Sequence, residues 1–379
     1  MLFLQLIHLF MSAIKAYIAD QIFTGNEWLN DHAVLAGDGT IKQVLPVQNI
    51  PPDIEIKYFT DSLLVPAFID LQIYGAHDRL FAVYPDSLSL KSLKNYCDAG
   101  GAAFCMPTVA TNQPEILIQC IEAIRQYWQQ GGEGILGLHA EGPWINRLKR
   151  GAHIESLIHS PTLKEVEEIL HVGKDVIKII TLAPEVCSKE IIDLIHASGI
   201  KIFAGHSNAT YEEAIHHFDN GISSVTHLYN AMSPFLHRNP GMVGAAFDHK
   251  KVKASIIADG YHVDYAAIRI AKNIMKDRLF AITDAVTSST EGYYQHQPAG
   301  DKFTAGGILS GSALTMYKAL QNLVTYAGIE LAEALRMCSL YPAQVMQLND
   351  KLGRIAAGYI AKMVLLPELL DGNEVQIIS

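Results

Sequence analysis

The sequence predicts an α/β fold, a (β/α)8 TIM barrel with a small β-sandwich built from both ends of the chain. Two observations support this fold class. In the middle of the chain, eight short apolar or β-branched runs alternate with stretches of helical periodicity. Short buried strands separated by crossover helices form a parallel sheet, and eight such units close into a barrel. Near both termini, strand patterns follow one another with turn signals and no crossover helix.

The predicted barrel occupies residues 65–345. Its strands are expected at residues 65–71, 102–106, 135–138, 176–182, 200–203, 222–226, 252–258 and 279–283. Between them, helical patterns such as residues 114–129 and 163–171 predict the outer helices. Because the carboxyl ends of parallel barrel strands meet at one mouth, polar residues that follow these strands are expected to converge there.

The two flanking segments, residues 11–64 and 346–379, are predicted to form the β-sandwich together. Neither segment alone has enough strands to bury a sheet face, so pairing between the two ends is expected. Turn signals such as Gly25-Asn26 and Pro51-Pro52 separate the predicted strands.

The first ten residues, MLFLQLIHLF, are expected to be a non-native or disordered extension, with Met11 opening the natural chain. A signal peptide begins with basic residues, and this segment has no Lys or Arg before Lys15. It is also too short to span a bilayer.

Composition and charge narrow the class of protein and of partner. A chain of 379 residues with 49% hydrophobic content can bury a barrel core and a small accessory domain. The formal net charge of −10, with scattered Lys and Arg, argues against nucleic acid as a partner, and no membrane partner is predicted. Five cysteines in apolar runs, without a CxxC pair, favour reduced thiols and a cytoplasmic protein.

Polar residues that bind metals follow several of the predicted strands. Glu141, His206 and His227 come after the third, fifth and sixth strands and form a His/His/carboxylate set. Such a set can hold a divalent metal and leave a position open for water. One histidine at a strand end is more often a structural hydrogen-bonding group, but three candidate ligands that share one barrel mouth predict a metal site.

Asp284 follows the eighth strand and is the candidate general base. A carboxylate beside a metal-activated water can take a proton from it and then pass that proton to a departing amine, which is hydrolysis of an amide. The alternative is that Asp284 caps a following helix.

Several longer motifs carry a family resemblance. They are HAEGPWINRLKRGAH, TLAPE, GHSNAT, THLYNAM, IADGYH, TDAV and SGSALTM, in this order. From about Ala16 to the C-terminus, the chain resembles the N-acetylglucosamine-6-phosphate deacetylases of the amidohydrolase superfamily. The resemblance implies the barrel with a two-ended sandwich, and hydrolysis of the N-acetyl group of N-acetyl-D-glucosamine 6-phosphate in amino sugar catabolism. The products would be D-glucosamine 6-phosphate and acetate.

The resemblance also implies residue roles. Glu141, His206 and His227 would bind the metal, and Asp284 would act as base and acid. His153 would contact the substrate near its acetyl carbonyl. Asn230 and Ala231 would hold the sugar phosphate, chiefly through backbone N–H groups, with Arg238 adding charge and His262 contacting the sugar or the phosphate. In this family the arginine of the HLYNAM loop reaches a neighbouring subunit's site, so a homodimer is implied.

The chain departs from the wider superfamily at the end of the first barrel strand. Many amidohydrolases carry His-x-His there, whereas this chain has Gln72 and Tyr74. Neither residue replaces imidazole as a ligand, which favours one metal ion per subunit, with Gln72 as a contact to its bound water or to a ligand. Zinc is the predicted ion, and Fe²⁺, Co²⁺ or Mn²⁺ also suit the ligand set.

Three alternatives stay open at this point. The substrate can be another N-acylated hexosamine phosphate such as the galacto epimer, because the side chains that read one inverted hydroxyl are not visible in the sequence. The barrel can be a non-catalytic scaffold, since fold alone does not fix function. Residues 287–303 can form a mobile lid or a plain surface loop.

Overall fold

The N-terminal part of the chain forms strands in two sheets. The computed structural model describes residues 14–373 and 375–379, so the predicted extension at residues 1–10 lies outside the described residues. The strands before the barrel are β1 (Lys15–Ile18), β2 (Gln21–Phe23), β3 (Trp28–Leu29), β4 (His32–Gly37), β5 (Thr40–Pro46), β6 (Glu55–Tyr58) and β7 (Ser62–Pro66). One sheet has the order β5-β4-β1-β6, whereas β7, β2 and β3 belong to a second sheet that the C-terminus completes.

Eight parallel strands form the barrel in sequence order. They are β8 (Ile69–Ile73), then, after the short hairpin of β9 (Gly75–Ala76) and β10 (Arg79–Leu80), β11 (Phe104–Ala110), β12 (Leu138–Glu141), β13 (Ile177–Leu182), β14 (Lys201–Ala204), β15 (Ser224–Val225), β16 (Lys253–Ile257) and β17 (Leu279–Ile282). The barrel closes where the Asp284 N–H donates to the Gln72 carbonyl at 3.0 Å and the Tyr74 N–H donates to the Ala285 carbonyl at 2.9 Å. The predicted (β/α)8 barrel is confirmed.

The first barrel strand begins later than predicted. The sequence suggested one strand over residues 65–71, but β7 ends at Pro66 in the terminal sheet and β8 begins at Ile69 in the barrel. Every residue from 62 to 73 is buried. A continuous apolar run indicates that both faces of a strand are buried. It does not show where the chain passes from one sheet to another.

Helices alternate with the barrel strands. They are α1 (Ser87–Ala99), α2 (Pro114–Gln129), α3 (Leu163–Gly173), α4 (Lys189–Ala197), α5 (Tyr211–Asp219), α6 (Gly241–Asp248), α7 (Tyr265–Met275), α8 (Met316–Thr325), α9 (Leu331–Cys338) and α10 (Leu340–Val345). The helix predicted over residues 114–129 is confirmed. Capping boxes at Thr162 and Thr210 fix the first turns of α3 and α5, because each threonine side chain accepts from a backbone N–H at 3.2 Å.

A small antiparallel sheet is inserted between the last barrel strand and α8. Its strands are β18 (Gln297–Pro298), β19 (Lys302–Ala305) and β20 (Ile308–Ser312), in that order. Only the end of the segment that the sequence suggested as a lid or a surface loop, residues 297–303, lies in this sheet, and residues 287–296 form the loop that leads into it. The position of this sheet after the eighth barrel strand places it at the mouth of the barrel.

The C-terminal strands join the N-terminal ones. β21 (Met363–Pro367) pairs antiparallel with β7, and β22 (Gln376–Ile378) pairs with β21, so the second terminal sheet has the order β22-β21-β7-β2-β3. Tyr17 and Val34 of the first sheet share a buried cluster with Ile22, Leu64 and Met363 of the second. The two terminal sheets therefore pack face to face over their own small core.

Among residues 14–373 and 375–379, no helix has both the length and the apolar character needed to cross a membrane.

Candidate metal centre and active site

The predicted metal-site residues lie at the carboxyl end of the barrel. Glu141 is the last residue of β12, and His206, His227 and Asp284 each follow a barrel strand by two residues. The backbone of the latter three residues is left-handed, with φ of +47°, +36° and +53°. This conformation is energetically unfavourable for residues other than glycine. Such backbone strain occurs most often at functional sites, where it aims a side chain.

Glu141, His206 and His227 are brought together as predicted. Glu141 Oε1 lies 3.1 Å from His227 Nε2 and 3.4 Å from His206 Nε2, and the two imidazole nitrogens are 3.0 Å apart. The exposed fraction of each residue is 5% or less. One ligand atom from each of the three residues lies within 4.8 Å of the others, which is the spacing of a potential metal site.

The donor chemistry of this group fits a divalent cation. His206 Nδ1 lies 2.9 Å from the Lys149 carbonyl, which can only accept, so the neutral ring presents a lone pair at Nε2. Burial opposes the charge on Glu141, but the contacts of this carboxylate with His153, His206 and His227 outweigh burial and hold its pKa well below the usual range. A carboxylate and imidazole nitrogens that converge on one point form the ligand type of zinc and related ions.

Asp284 is linked to the metal-site carboxylate through Gln72. The side-chain amide nitrogen of Gln72 lies 2.8 Å from Asp284 Oδ1 and 3.0 Å from Glu141 Oε1. Burial raises the pKa of Asp284 well above its usual range, and the negative charge of Glu141 raises it further. Asp284 is therefore a strong proton acceptor for a carboxylate.

The alternative role of Asp284 as a helix cap is wrong. The chain that follows it continues through a loop into β18, β19 and β20, and the next helix, α8, begins only at Met316. The Asp284 N–H instead donates to the Gln72 carbonyl at 3.0 Å, where the barrel closes. The Asp284 carbonyl accepts from the Ser312 N–H, also at 3.0 Å.

His153 lies against the same group of side chains. Its Nε2 is 3.3 Å from Glu141 Oε2, its ring centroid is 4.3 Å from that of His206, and its Nδ1 hydrogen-bonds Thr111 Oγ1 at 2.7 Å. Burial and the neighbouring His206 lower the pKa of His153 to about 4. The ring is thus neutral near pH 7 and can donate one hydrogen bond without adding charge to the site.

A cavity of about 180 Å³ opens in front of these residues. Three of the residues that the sequence analysis proposed as substrate-binding, Asn230, Ala231 and His262, line it. The Asn230 backbone N–H already donates to the His227 carbonyl at 2.9 Å, and Asp259 fixes His262 through a 2.5 Å bond to Nδ1. Arg238 does not line this cavity; it is exposed in the turn between α5 and α6.

The inserted sheet and the loop before it supply part of the cavity wall, which the sequence did not predict residue by residue. Tyr294, His296, Leu309 and Ser310 all line the cavity. The Tyr294 hydroxyl donates to the Thr111 carbonyl at 2.7 Å, and His296 Nδ1 hydrogen-bonds Ser310 Oγ at 2.8 Å. The only sequence signal for these residues was that their segment follows Asp284 directly.

Supporting residues around the site were also missed by sequence reasoning. Thr111, which orients His153, follows the second barrel strand and carries no signal that separates it from an ordinary loop threonine. Asp259 precedes His262 by three residues, and this Asp-x-x-His spacing could have indicated the pair. Tyr74 was noted as a departure from a histidine pattern, but its contacts depend on distances that sequence does not show.

Comparison with known proteins places the chain in a family. The amidohydrolase family model matches residues 63–376, and the NagA composite domain matches residues 16–57. The chain is 32% identical to an N-acetylglucosamine-6-phosphate deacetylase of Haemophilus influenzae, over 91% of this chain and 93% of the relative. It is 30% identical to an N-acetylgalactosamine-6-phosphate deacetylase of Escherichia coli O157:H7, over 95% and 97%.

Solved structures agree with the sequence matches. The N-acetylglucosamine-6-phosphate deacetylase of Pasteurella multocida superposes with a TM-score of 0.90 at 32% identity, covering 96% of this chain and 97% of that one. A variant of the Mycobacterium smegmatis deacetylase, in complex with N-acetyl-D-glucosamine-6-phosphate, superposes with a TM-score of 0.86 at 26% identity, covering 96% and 97%.

Proposed function

The chain belongs to the amidohydrolase family, and we propose that it hydrolyses the N-acetyl group of N-acetyl-D-glucosamine 6-phosphate to give D-glucosamine 6-phosphate and acetate. The observation that carries this proposal is the buried set of Glu141, His206 and His227, with Asp284 held beside it by Gln72. Relatives that align over nine-tenths of the chain are named as deacetylases of N-acetylated hexosamine 6-phosphates, which supports a role in amino sugar catabolism.

One divalent ion per subunit is the cofactor that this site would hold. Glu141, His206 and His227 would bind it, and we favour Zn²⁺, with Fe²⁺, Co²⁺ and Mn²⁺ as ions of similar ligand preference. Bound there, the ion supplies Lewis-acid chemistry, because it makes a water molecule more acidic and polarises an amide carbonyl. Gln72 and Tyr74 at the end of β8 offer no imidazole for a second ion.

Asp284 would carry the proton through the reaction. Its raised pKa suits it to take a proton from the attacking water as the new carbon–oxygen bond forms. When the carbon–nitrogen bond breaks, the protonated carboxyl returns this proton to the amine, which leaves as the sugar amine while acetate is released. The Gln72 amide, at 2.8 Å from Oδ1, orients the carboxylate for both transfers.

His153 would stabilise the negative charge that develops on the carbonyl oxygen. Its Nδ1 accepts the hydroxyl proton of Thr111 at 2.7 Å in this assignment, which leaves an N–H at Nε2 on the cavity side. A donor fixed in this way stabilises an oxyanion without first having to reorganise, and removal of such a donor typically costs about 10² to 10³ in kcat.

The substrate phosphate would need a positive charge from outside the subunit. Among the described residues that line the cavity, none is Lys or Arg. Arg238 lies at a tight exposed turn that Leu236 and Asn239 close with mutual backbone bonds of 3.1 and 3.0 Å. We therefore place Arg238 of one subunit at the phosphate of another, because its planar fork suits a phosphate group.

A homodimer is the assembly that this placement requires. The surface near the Arg238 turn is apolar: Phe235 and Leu236 are 57% and 54% exposed, and Ile270 on α7 is 55% exposed. Phe235 and Ile270 border one groove on this face. Exposed apolar side chains grouped in this way are typical of a protein–protein interface. A second copy would cover the apolar face and would supply the positive charge of Arg238 to the substrate phosphate.

A cytoplasmic location is consistent with the thiols. All five cysteines are free, and four of them are buried. Reduced cysteines of this kind are the usual state in the cytosol.

Acetate release from three sugars tests the function. Zinc-loaded protein is incubated with N-acetylglucosamine 6-phosphate, its galacto epimer and unphosphorylated N-acetylglucosamine. A higher kcat/KM is expected for N-acetylglucosamine 6-phosphate than for the other two sugars. A preference for the galacto epimer would make that epimer the substrate, and two relatives are named as N-acetylgalactosamine-6-phosphate deacetylases. No release from any of the three by protein with bound metal would contradict the proposal and leave the non-catalytic scaffold as the alternative.

A further inference from the structure

The hydroxyl of Tyr74 lies against the carboxylate of the metal site. It donates a short hydrogen bond to Glu141 Oε2 and lies 2.8 Å from the Gln72 side-chain amide. Tyr74 follows β8 directly, and its backbone N–H donates to the Ala285 carbonyl at 2.9 Å, at the seam where the barrel closes. The phenol is therefore held from both its backbone and its hydroxyl.

The two oxygens of Glu141 face different neighbours. Oε1 lies with the two imidazole nitrogens of the metal site, 3.1 Å from His227 and 3.4 Å from His206. Oε2 faces the opposite way, toward the Tyr74 hydroxyl and His153 Nε2 at 3.3 Å. A carboxylate that turned about its last bond could offer both oxygens to one ion, whereas this arrangement offers only Oε1.

From this asymmetry we propose that Tyr74 is a positioning residue for the metal: it holds Oε2 and so keeps Glu141 as a ligand through Oε1 alone. The inference rests on the metal site of the proposed function. With Glu141 limited to one oxygen, Glu141, His206 and His227 would hold the ion through one atom each and would leave it accessible to water or to the substrate carbonyl.

The number of available hydrogens supports the same role. The Gln72 amide has two hydrogens, but three acceptors lie within 3.0 Å of its nitrogen: Tyr74 Oη, Glu141 Oε1 and Asp284 Oδ1. Because the Tyr74 hydrogen goes to Glu141, its oxygen can accept one Gln72 hydrogen while Asp284 accepts the other. Every donor is then used, and Oε1 is released from the amide and free to bind an ion.

Removal of the hydroxyl would disturb both parts of this arrangement. Without it, Oε2 loses its strongest neutral donor, and the Gln72 hydrogen that pointed at Tyr74 is redirected toward Oε1, where it competes with the ion. The aromatic ring itself lines the cavity and would remain in a phenylalanine variant. The substitution Tyr74→Phe therefore separates the hydrogen bond from the packing of the ring.

Zinc affinity, measured by competition with a chromophoric chelator, tests the inference on the purified full-length protein. Groups that orient a metal ligand typically change metal affinity 10- to 100-fold when they are removed, so Y74F should bind Zn²⁺ at least about tenfold more weakly than wild type. The matched control is Y294F, which loses a buried 2.7 Å hydroxyl bond in the same cavity, made to the Thr111 carbonyl and not to any of the three ligands. Its zinc affinity should stay within about twofold of wild type.

The visible spectrum of the Co²⁺-loaded proteins gives a readout that a merely structural role would not move. Cobalt bands depend on the number and geometry of the ligands, so Y74F should differ from both wild type and Y294F. Wild-type zinc affinity together with an unchanged cobalt spectrum in Y74F would overturn the inference and leave the proposed function standing. Failure of the wild-type protein to bind zinc would overturn both.

Discussion

Two buried carboxylates with opposite pKa shifts lie within reach of one glutamine side chain. Contacts with three histidines hold the pKa of Glu141 well below the usual range, whereas burial and the charge of Glu141 raise the pKa of Asp284. Environments that push two carboxyl pKa values apart assign different roles to them. Glu141 is suited to stay ionised as a ligand, and Asp284 is suited to exchange a proton.

Replacing Asp284 with asparagine tests this division. The variant can still accept from Gln72, so it should fold and bind zinc, but an amide cannot take the proton and kcat should fall by about 10² to 10⁴. The change is measured as acetate release, with bound metal determined on the same sample. Asp264→Asn is the matched control, because Asp264 is an exposed helix cap whose function asparagine preserves. Turnover close to wild type in the Asp284 variant would remove this residue from the mechanism.

At the scale of elements, the barrel was more predictable than the insertion. The apolar runs of β14, β15 and β17 end where the mouth begins, and the run predicted as the third strand, residues 135–138, leads into β12 at Leu138. The polar residues that follow these runs could therefore be identified from sequence. In strands β18, β19 and β20, the only buried residues are Gly311 and Ser312, at the end of β20. Half-exposed strands without alternation give no periodic signal, so residues 287–303, which reach into β19, were predicted as a lid or a loop. The buried side chains of this segment depend on partners far away in sequence.

His296 predicts a pH dependence that belongs to this insertion. Burial lowers its pKa to about 4, against about 6.5 in an unfolded chain. The unfolded state therefore binds the proton more readily, and the stability that neutral His296 contributes is fully present above about pH 6.5 and is lost as the pH falls toward 4. The free energy of unfolding of wild type relative to His296→Gln should decrease by up to about 3 kcal/mol between pH 7 and pH 4.

Denaturant unfolding of both proteins at several pH values, in the same metal-free buffer, measures this difference. The comparison of two proteins cancels the titration of all groups that they share. If the difference between the two free energies of unfolding stays constant from pH 7 to pH 4, the fold does not hold His296 in its neutral form.

At the scale of the whole molecule, the ends of the chain and the barrel are one connected structure. The strand pair of β21 with β7 ties the C-terminus to the segment that leads into β8, and Gln72 and Tyr74 lie at the far end of β8. The sequence could predict that the ends meet, because each had too few strands alone. It could not predict the break at Ala67 and Phe68, because apolar character is the same in both sheets. Subunit contacts were likewise inferred only from a resemblance.

Mixed dimers test whether Arg238 acts across subunits. Arg238→Ala and Asp284→Asn chains with different tags are co-expressed, and dimers that carry both tags are purified. If Arg238 serves the neighbouring subunit, one site of each mixed dimer has an intact Asp284 and receives an intact arginine. At substrate concentrations below the wild-type KM, mixed dimers should then show about half of the wild-type activity, well above either parent variant.

The control is a mixed dimer of an Asp284→Asn chain and a Glu141→Ala chain. Each of these changes disables the cavity of the chain that carries it. This combination leaves no complete site and should restore nothing. Mixed Arg238→Ala and Asp284→Asn dimers that are no more active than their parents would place the arginine in its own subunit or outside the site.

One ion held by Glu141, His206 and His227 is expected to enable hydrolysis of the acetamide. The most direct measurement is acetate release from N-acetylglucosamine 6-phosphate by metal-depleted protein, titrated with Zn²⁺ and plotted against ions bound per chain. Activity should be absent at the start, rise in proportion to bound zinc and level off at one ion per chain. Full activity in the depleted protein, or a rise that continues to two ions per chain, would contradict the account.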